Sequence, residues 1–186
     1  AEALLDRLIP LAHAADLEIH AWMHTMACNI PEIYEGHPDW YDVNGKGESA
    51  ANKPPYVGYY KFLCPSRPQV HEFLRRRVTE LAAFEGLDGI HLDYIRFPDV
   101  ILAEALQPTY DIVQDREYPE YDYCYCQLCR ETFHRESGID ISSVEDPSAS
   151  DRWRQFRCDR ISHLVNDVLA PVGRDAGKQV TAAVFP

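Results

Sequence analysis

Apolar residues recur along the chain at two different spacings. The helical spacing of three to four residues appears in "AEALLDRLIPLAHAA" (1–15), in residues 68–86 and 127–137, and again from 151 onward. The alternating spacing of strands appears in "LEIHAWM" (17–23), "GLDGIHLDYIRFP" (86–98) and "KQVTAAVFP" (178–186). The order helix, strand, helix, strand, helices, strand predicts a parallel sheet with right-handed crossovers.

Glycine and proline mark the ends of these predicted helices. Pro68 suits the first turn of the helix "PQVHEFLRRRVTELAAFEG", and Gly86 suits its end. Gly138 is expected to end the helix over 127–137, while Pro10 bends the first helix and Pro171 kinks or ends the last one. Long polar loops, above all residues 97–125, follow the predicted strands.

Two α/β architectures fit this order of elements. One is an open three-layer sheet, and the other is a (β/α)₈ barrel, which normally needs about 250 residues. With 186 residues and no internal repeat, the chain is predicted to be either a small open sheet or a single partial domain, 1–186, from the centre of a larger barrel.

The central strand combines buried apolar positions with charge. Side chains alternate along a strand, so Ile90 and Leu92 point to one face while His91 and Asp93 point to the other. In a barrel, the second pair would lie in the lumen near the carboxyl end of the strand, where such barrels place their active sites. Asp93 is therefore a candidate catalytic carboxylate. The alternative is a structural carboxylate that pairs with Arg96 or caps the loop.

The first strand ends in the same manner, with His20, Trp22 and His24 at alternating positions. An aromatic side chain at this end of a strand can stack on a sugar ring, although Trp22 could equally belong to the core. Aromatic loops, with Tyr59, Tyr60 and the tyrosines of 118–125, suit carbohydrate binding as well as ordinary loop packing.

The composition limits the classes of partner that the chain is expected to bind. The chain has 30 acidic and 18 basic residues, for a net charge of −12, which argues against nucleic acid or an anionic membrane as the main partner. No apolar run approaches the ~18 residues that a membrane span needs, and no signal peptide stands at residue 1. No organic cofactor is expected.

Three of the six cysteines lie within six residues, in "YDYCYCQLCRETF". The spacing of Cys124, Cys126 and Cys129 suits one tetrahedral metal ion, and four protein ligands would make the site structural. Cys64 is one candidate for the fourth ligand. The other candidates are Cys28, Cys158 and His134. Disulfides or buried thiols are the alternative, and a metal-stabilised interaction module is the corresponding non-enzyme hypothesis.

The sequence resembles the glycosyl hydrolase-like family 10 proteins through "DGIHLDYIRFP", "LCPSRPQV" and "AAVFP", over about residues 17–186. This resemblance implies a (β/α)₈ barrel that acts on polysaccharides or cell-wall glycans. It also implies an extracellular, periplasmic or lipid-anchored bacterial protein. The chain would then supply about strands three to five, with long βα loops.

A looser similarity links the cysteines to the family 42 β-galactosidases, some of which hold zinc with C-P-x-x-P and C-x-C-x-x-C-x-x-x-F segments. The similarity implies a structural zinc site of Cys64, Cys124, Cys126 and Cys129. The general acid of that family cannot be transferred, because its fourth strand ends in Asn-Glu, whereas this one ends in Asp93-Tyr94.

Together these patterns predict a glycoside hydrolase acting on a poly- or oligosaccharide. By analogy with α-amylase and α-galactosidase barrels, Asp93 would be a nucleophile or an acid/base, with His91 and Arg96 orienting it and Trp22 and His24 lining the sugar subsite. Its partner carboxylate stays unidentified; Asp99 and Asp111 follow on the same loop. The alternative is a non-catalytic carbohydrate-binding or scaffolding barrel. In both cases the rest of the barrel or a partner chain would cover the sheet edges.

Overall fold

A computed structural model describes residues 2–184 of the chain. The predicted end of the third strand at Pro186 therefore lies outside the described residues. The helices and strands are α1 (Glu2–Ala14), β1 (His20–His24), α2 (Pro31–Gly36), α3 (Pro68–Ala82), β2 (Gly89–Asp93), α4 (Gln127–Ser137), α5 (Asp151–His163), α6 (Ala170–Asp175) and β3 (Gln179–Ala182). A π-helical stretch, Leu164–Leu169, joins α5 to α6, and short 3-10 turns lie at Pro38–Trp40, Glu104–Tyr110, Ile141–Ser143 and Pro147–Ala149.

The described chain divides into two compact units. The strand unit comprises residues 2–25, 71–95 and 162–184, and the loop unit comprises residues 26–70 and 96–161. The strand unit holds all three strands, whereas the loop unit is built mainly from the segments that follow β1 and β2.

The three strands form one parallel sheet in the order β1-β2-β3, as the alternation of strands and helices predicts. In the register, His24 of β1 is opposite Asp93, while Trp22 and Thr181 are opposite His91. The mixed α/β architecture with a small parallel sheet agrees with a fragment of a glycosidase-like barrel.

The two faces of the sheet differ as the sequence predicts. Ile90 and Leu92 are fully buried on one face, together with Met23. His91 and Asp93 are only partly buried on the other face, where Trp22 is exposed. The sheet therefore has one apolar face inside the protein and one polar face.

Helix α6 packs closely against the sheet, and α3 contributes buried apolar residues to the same unit. Leu74 and Val78 of α3 are buried within the strand unit. Gly173 of α6 lies so near β3 that an added Cβ would be 2.4 Å from Val180 Cγ2. A glycine at this position lets the helix approach the strand.

The loop unit has its own core, in which aromatic side chains surround the cysteines. Trp153 stacks on Phe156 with ring centroids 5.3 Å apart and meets Phe133 edge to face at 4.9 Å. The three rings, Tyr123 and Ile141 are buried in the same cluster as Cys64, Cys124, Cys126 and Cys129. The cysteines thus lie in the core of a unit that has little regular secondary structure.

One helix prediction needs correction. Helix α3 ends at Ala82 instead of reaching Gly86, which has φ +77° in the turn that leads to β2. In α1 the leucines at helical spacing do not face the core, because Leu4, Leu8 and Leu11 are exposed and Ile9 is buried instead. By contrast, α4 ends at Ser137 and Gly138 follows in the left-handed conformation, as predicted.

Candidate functional site

The polar face of the sheet gathers several predicted site residues at the carboxyl ends of β1 and β2. Because partners in a parallel register share a face, Trp22 and His24 lie on the same side as His91 and Asp93. The imidazole Nδ1 of His91 is 2.8 Å from Thr181 Oγ1 on β3. The strands therefore bring Trp22, His24, His91 and Asp93 together on one face.

Both carboxylate oxygens of Asp93 accept hydrogen bonds. The indole Nε1 of Trp22 donates to Oδ2 at 2.9 Å, and the backbone N–H of Tyr94 donates to Oδ1 at 2.8 Å. Each oxygen thus has one N–H donor, from a side chain on one side and from the backbone on the other. Asp93 is consequently held in a fixed orientation by its own loop and by the neighbouring strand.

Trp22 is an exposed residue of this face, and 66% of its surface is accessible. Trp22 is therefore not a core residue of the strand unit, which was the alternative interpretation. Its ring meets His24 edge to face at 5.3 Å, and His24 meets Tyr94 in the same manner at 4.9 Å. The three aromatic rings form a continuous edge beside Asp93.

Tyr94 adopts a backbone conformation that a non-glycine residue rarely takes. Its φ is +50°, in the left-handed region, directly after the strand. Such conformations cost of the order of 1 kcal/mol or more and concentrate at functional sites. At this position the conformation accompanies the hydrogen bond from the Tyr94 N–H to Asp93. The sequence gives no signal of this role beyond the position after Asp93.

Arg96 lies in the loop unit, where its contacts include an ion pair with Asp99. Its guanidinium is 3.1 Å from Asp99 Oδ2 and donates to the Tyr60 hydroxyl at 2.9 Å. The Tyr60 hydroxyl in turn donates to Asp99 at 2.6 Å. These contacts fix the start of the loop after β2 and give Asp99 a structural ion pair. Asp111 is exposed. It has a left-handed backbone conformation and follows the Glu104–Tyr110 turn.

The second cluster of the structure is a candidate metal centre. Cys64, Cys124, Cys126 and Cys129 are all buried, and their Sγ atoms lie within 4.8 Å of one another. Cys64 Sγ is 3.7 Å from the Sγ atoms of Cys124 and Cys126, and 3.5 Å from that of Cys129. A disulfide bond would be about 2.05 Å long. The arrangement is a compact set of four thiols that could hold a metal ion.

Backbone contacts of the loop unit bring these cysteines together. The Cys64 N–H donates to the Trp40 carbonyl, which fixes the segment before α3. Tyr125 N–H donates to the Val43 carbonyl and Val43 N–H points to Cys124 Sγ at 3.4 Å. Cys126 occupies the N-cap position of α4, and Cys129 lies in its first turn. Three distant segments therefore meet at one point.

Electrostatics distinguish the four thiols. Hydrogen bonds from the neighbouring thiols, first of all Cys124, lower the pKa of Cys126. Burial raises the pKa of Cys124. Four buried sulfur atoms so close together are a donor set that suits a soft or borderline cation. The other fourth-ligand candidates, Cys28, Cys158 and His134, are absent from this cluster of described residues.

Asp42 is a buried carboxyl group near this cluster that sequence reasoning missed. Its side chain is fully buried, and burial raises its pKa well above the usual value. The next residue, Val43, is the one whose N–H points to Cys124. The flanking "WYDVNG" reads as an ordinary polar loop, so no sequence signal indicated that this aspartate is buried.

A small parallel sheet with a carboxylate at a strand end is consistent with part of a glycosidase-like protein. The sequence model of the family described as glycosyl hydrolase-like 10 matches residues 2–184. The chain therefore belongs to the glycosyl hydrolase-like 10 family, as its motifs predict. No curated protein matches the chain. The similarity to the family 42 β-galactosidases stays a prediction.

In the described part of the chain, no helix is long and apolar enough to cross a membrane.

Proposed function

We propose that this chain forms the central part of a (β/α)₈-barrel glycosidase that acts on a poly- or oligosaccharide, with Asp93 as a catalytic carboxylate. The observation that carries the proposal is the setting of Asp93, at the carboxyl end of the middle strand of a parallel sheet, with an N–H donor on each oxygen. Active sites of such barrels lie at this end of the strands.

The hydrogen bonds favour one role for Asp93. A general acid donates an O–H to its substrate, whereas both oxygens of Asp93 are engaged as acceptors. Asp93 would therefore act as the nucleophile of a retaining enzyme or as the base of an inverting one. A partner carboxyl group would lie ~5–5.5 Å away for retention or ~6.5–9.5 Å away for inversion.

The neighbours of Asp93 would bind and orient. Trp22 would hold the carboxylate through its indole N–H and present its exposed ring to a sugar. His24 would support that ring, and His91, held by Thr181, would line the floor of the site. Arg96 would act through the loop after β2, because its ion pair with Asp99 fixes the first residues of that loop.

Several features support a barrel that continues beyond these three strands. Among the described residues, β1 and β3 each pair with β2 alone, so each has an open edge. Helix α1 directly precedes β1 in the chain, and its leucines form an exposed apolar stripe. Further βα units, from the rest of the barrel or from a partner chain, would cover such edges and stripes.

We further propose that the four cysteines hold a structural zinc ion. Tetrahedral zinc with Zn–S bonds of about 2.3 Å places its sulfur ligands about 3.8 Å apart. The measured Sγ separations of 3.5–3.7 Å around Cys64 fit that edge length. With four protein ligands the ion would supply cross-linking and not catalysis. Secretion or lipid anchoring of the protein rests on the family resemblance alone.

The test is hydrolysis of a panel of glycans by the protein with its natural flanking sequence, measured as release of reducing ends. We expect D93N to lower kcat by at least about 10³-fold, since it removes the nucleophile or base. D159N, which changes an exposed aspartate on α5, is the matched control and should keep full activity.

Two results would contradict the proposal. Full turnover by D93N would remove Asp93 from the mechanism. Saturable glycan binding by the wild type without any turnover would instead favour the non-catalytic carbohydrate-binding protein, for which the exposed Trp22 ring would still serve as a stacking surface.

A further inference from the structure

The carboxyl end of β1 carries a histidine directly beside Asp93. The parallel register places His24 opposite Asp93, and both side chains lie on the polar face of the sheet. Neighbouring strands are about 4.7–4.9 Å apart. His24 and Asp93 are therefore lateral neighbours at the end of the strands where the proposed glycosidase would bind its substrate.

Two aromatic rings hold the imidazole of His24. Its centroid is 5.3 Å from that of Trp22 and 4.9 Å from that of Tyr94, and both rings meet it edge to face. The Trp22 indole also donates to Asp93 at 2.9 Å, so one side chain contacts both residues. Within the described residues, neither imidazole nitrogen of His24 has a hydrogen-bond partner. The side chain is exposed, and its nitrogens are open to a bound ligand.

The other histidines of the strands are engaged elsewhere. His91 Nδ1 is 2.8 Å from Thr181 Oγ1, and His20 Nε2, at the amino end of β1, is 3.2 Å from Glu18. Asp93 is the one acidic residue within the three described strands. His24 is therefore the titratable partner that the described strands place beside this carboxyl group.

A retaining glycosidase needs a second group beside its nucleophile. That group protonates the leaving oxygen in the first step and accepts a proton from water in the second. The two groups are ~5–5.5 Å apart, which is close to the spacing of neighbouring strands. Imidazole can serve in both steps, because its ordinary pKa lies near neutrality and it can both donate and accept a proton there.

We propose that His24 is the general acid/base of a retaining hydrolysis in which Asp93 is the nucleophile. The inference rests on the proposed function and specifies the partner of Asp93.

The two steps of this reaction balance. In the first, a carboxylate oxygen of Asp93 bonds to the anomeric carbon, the glycosidic C–O bond breaks with its electron pair on the leaving oxygen, and that oxygen takes the proton of the His24 imidazolium. In the second, the oxygen of water bonds to the anomeric carbon, a proton of the water passes to His24, and the bond to Asp93 breaks. One glycosidic bond and one water thus become two hydroxyl groups, and both side chains return to their initial state.

The charges on this face suit such a pair. The titratable groups around His24 are the Asp93 carboxyl, the Tyr94 hydroxyl and, further along β2, the His91 imidazole, while β3 contributes the uncharged Thr181. An imidazolium beside a carboxylate is a pair of opposite charges. Both charges disappear when the glycosyl ester forms, so the intermediate leaves neither group charged without its partner.

The acidity of the leaving group tests the role of His24. The substrates are the methyl and 2,4-dinitrophenyl glycosides of the sugar that the glycan panel identifies, and the protein carries its natural flanking sequence. Dinitrophenolate leaves without a proton, whereas methoxide needs one. We therefore expect H24Q to lower kcat/KM at least about 10²-fold on the methyl glycoside and less than about threefold on the dinitrophenyl glycoside. H20Q makes the same change at the amino end of the same strand and should behave as the wild type does on both.

Two further measurements distinguish catalysis from support of the fold. A general acid must be protonated, so kcat/KM of the wild type should fall as the pH rises above the pKa of that acid, and H24Q should lose this fall. On the dinitrophenyl glycoside, azide should raise kcat of H24Q and yield a glycosyl azide of retained configuration, because this anion attacks without a base. Nuclear magnetic resonance of the product would establish the configuration.

Three outcomes would overturn the inference: equal losses of H24Q on the two glycosides, an unchanged pH profile in H24Q, or inverted configuration in the first product of the wild type. The circular dichroism spectrum and unfolding midpoint of H24Q show whether the variant is folded. Loss of hydrolysis in D93N with full activity in H24Q would contradict the role of His24 alone. Absence of hydrolysis by the wild type would contradict the proposed function as well.

Discussion

At the scale of single residues, Asp93 depends on a donor from a neighbouring strand. Trp22 has two roles in the proposed site, because its indole N–H holds Asp93 and its exposed ring faces solvent. These roles can be separated, since phenylalanine keeps an aromatic ring and lacks the N–H.

We expect W22F to lower kcat about tenfold or more, because a hydrogen bond to a charged group contributes about 1.5–3 kcal/mol. KM should change less, as the ring that contacts the sugar is retained. Steady-state kinetics on the glycan identified by the hydrolysis assay would measure both parameters.

The stability of W22F provides its control. The Trp22 side chain is 66% exposed, so water can replace its N–H donor in the free protein, and the free energy of unfolding should fall by about 1 kcal/mol or less. A rise in KM with unchanged kcat would contradict the orienting role. Trp22 would then serve only as a stacking surface for the sugar.

Sequence alone could place Asp93 and Trp22 at strand ends, yet it could not join them. The hydrogen bond between them depends on the register that sets His24 opposite Asp93, and a parallel register is fixed by packing of the whole sheet. The ion pair between Arg96 and Asp99, three residues on, likewise depends on the conformation of the loop after β2, which the sequence does not reveal.

At the scale of elements, the cysteine cluster joins segments that are far apart in the chain. Cys64 precedes α3, while Cys126 and Cys129 belong to the start of α4. Their spacing and position before a helix were readable from sequence. The selection of Cys64 over Cys28, Cys158 and His134 required the fold, and the geometry agrees with the choice that the family 42 similarity implied.

We expect C64S to lose the bound metal, because one of four ligands is removed. Purified wild-type protein should contain about one zinc per chain, and C64S much less, by elemental analysis. C158S changes an exposed cysteine outside the cluster and should retain the metal. Equal metal contents in C64S and C158S, or a wild type with six reactive thiols and no metal, would contradict the zinc proposal.

Helix ends show where local signals suffice. Gly138 ends α4 because its left-handed conformation, at φ +74°, is open to glycine and costly for other residues. Gly86 has the same conformation at φ +77° but serves the turn before β2, four residues after α3 has ended. A glycine in the sequence thus predicts a residue with left-handed conformation, but it does not predict at which residue the helix ends.

At the scale of the whole molecule, α1 has an apolar stripe that the described chain does not bury. Leu4, Leu8 and Leu11 are 59%, 40% and 67% exposed, while Ile9 on the same helix is 8% exposed. Periodicity identified the stripe correctly as apolar. It could not reveal which neighbour covers it, and in the barrel proposal that neighbour is another βα unit.

For the 186-residue chain we expect L11K to change the free energy of unfolding by less than about 0.5 kcal/mol and to reduce self-association, since it removes exposed apolar surface. I9K, on the buried side of α1, should destabilise by several kcal/mol because it buries a charge. Denaturant unfolding and sedimentation would measure the two effects. A large loss of stability in L11K would show that the stripe is already buried.

The four-cysteine cluster has a consequence for the lifetime of the protein. Cys64 and Cys124 are 60 residues apart in sequence, so a metal ion between them closes a ring that contains α3, β2 and the long loop after β2. Such a ring restricts the unfolded chain more than it changes the folded one. Without the metal ion the chain lacks this cross-link, so we expect proteases to cleave it more readily. The supply of zinc during synthesis should therefore determine how much intact protein accumulates.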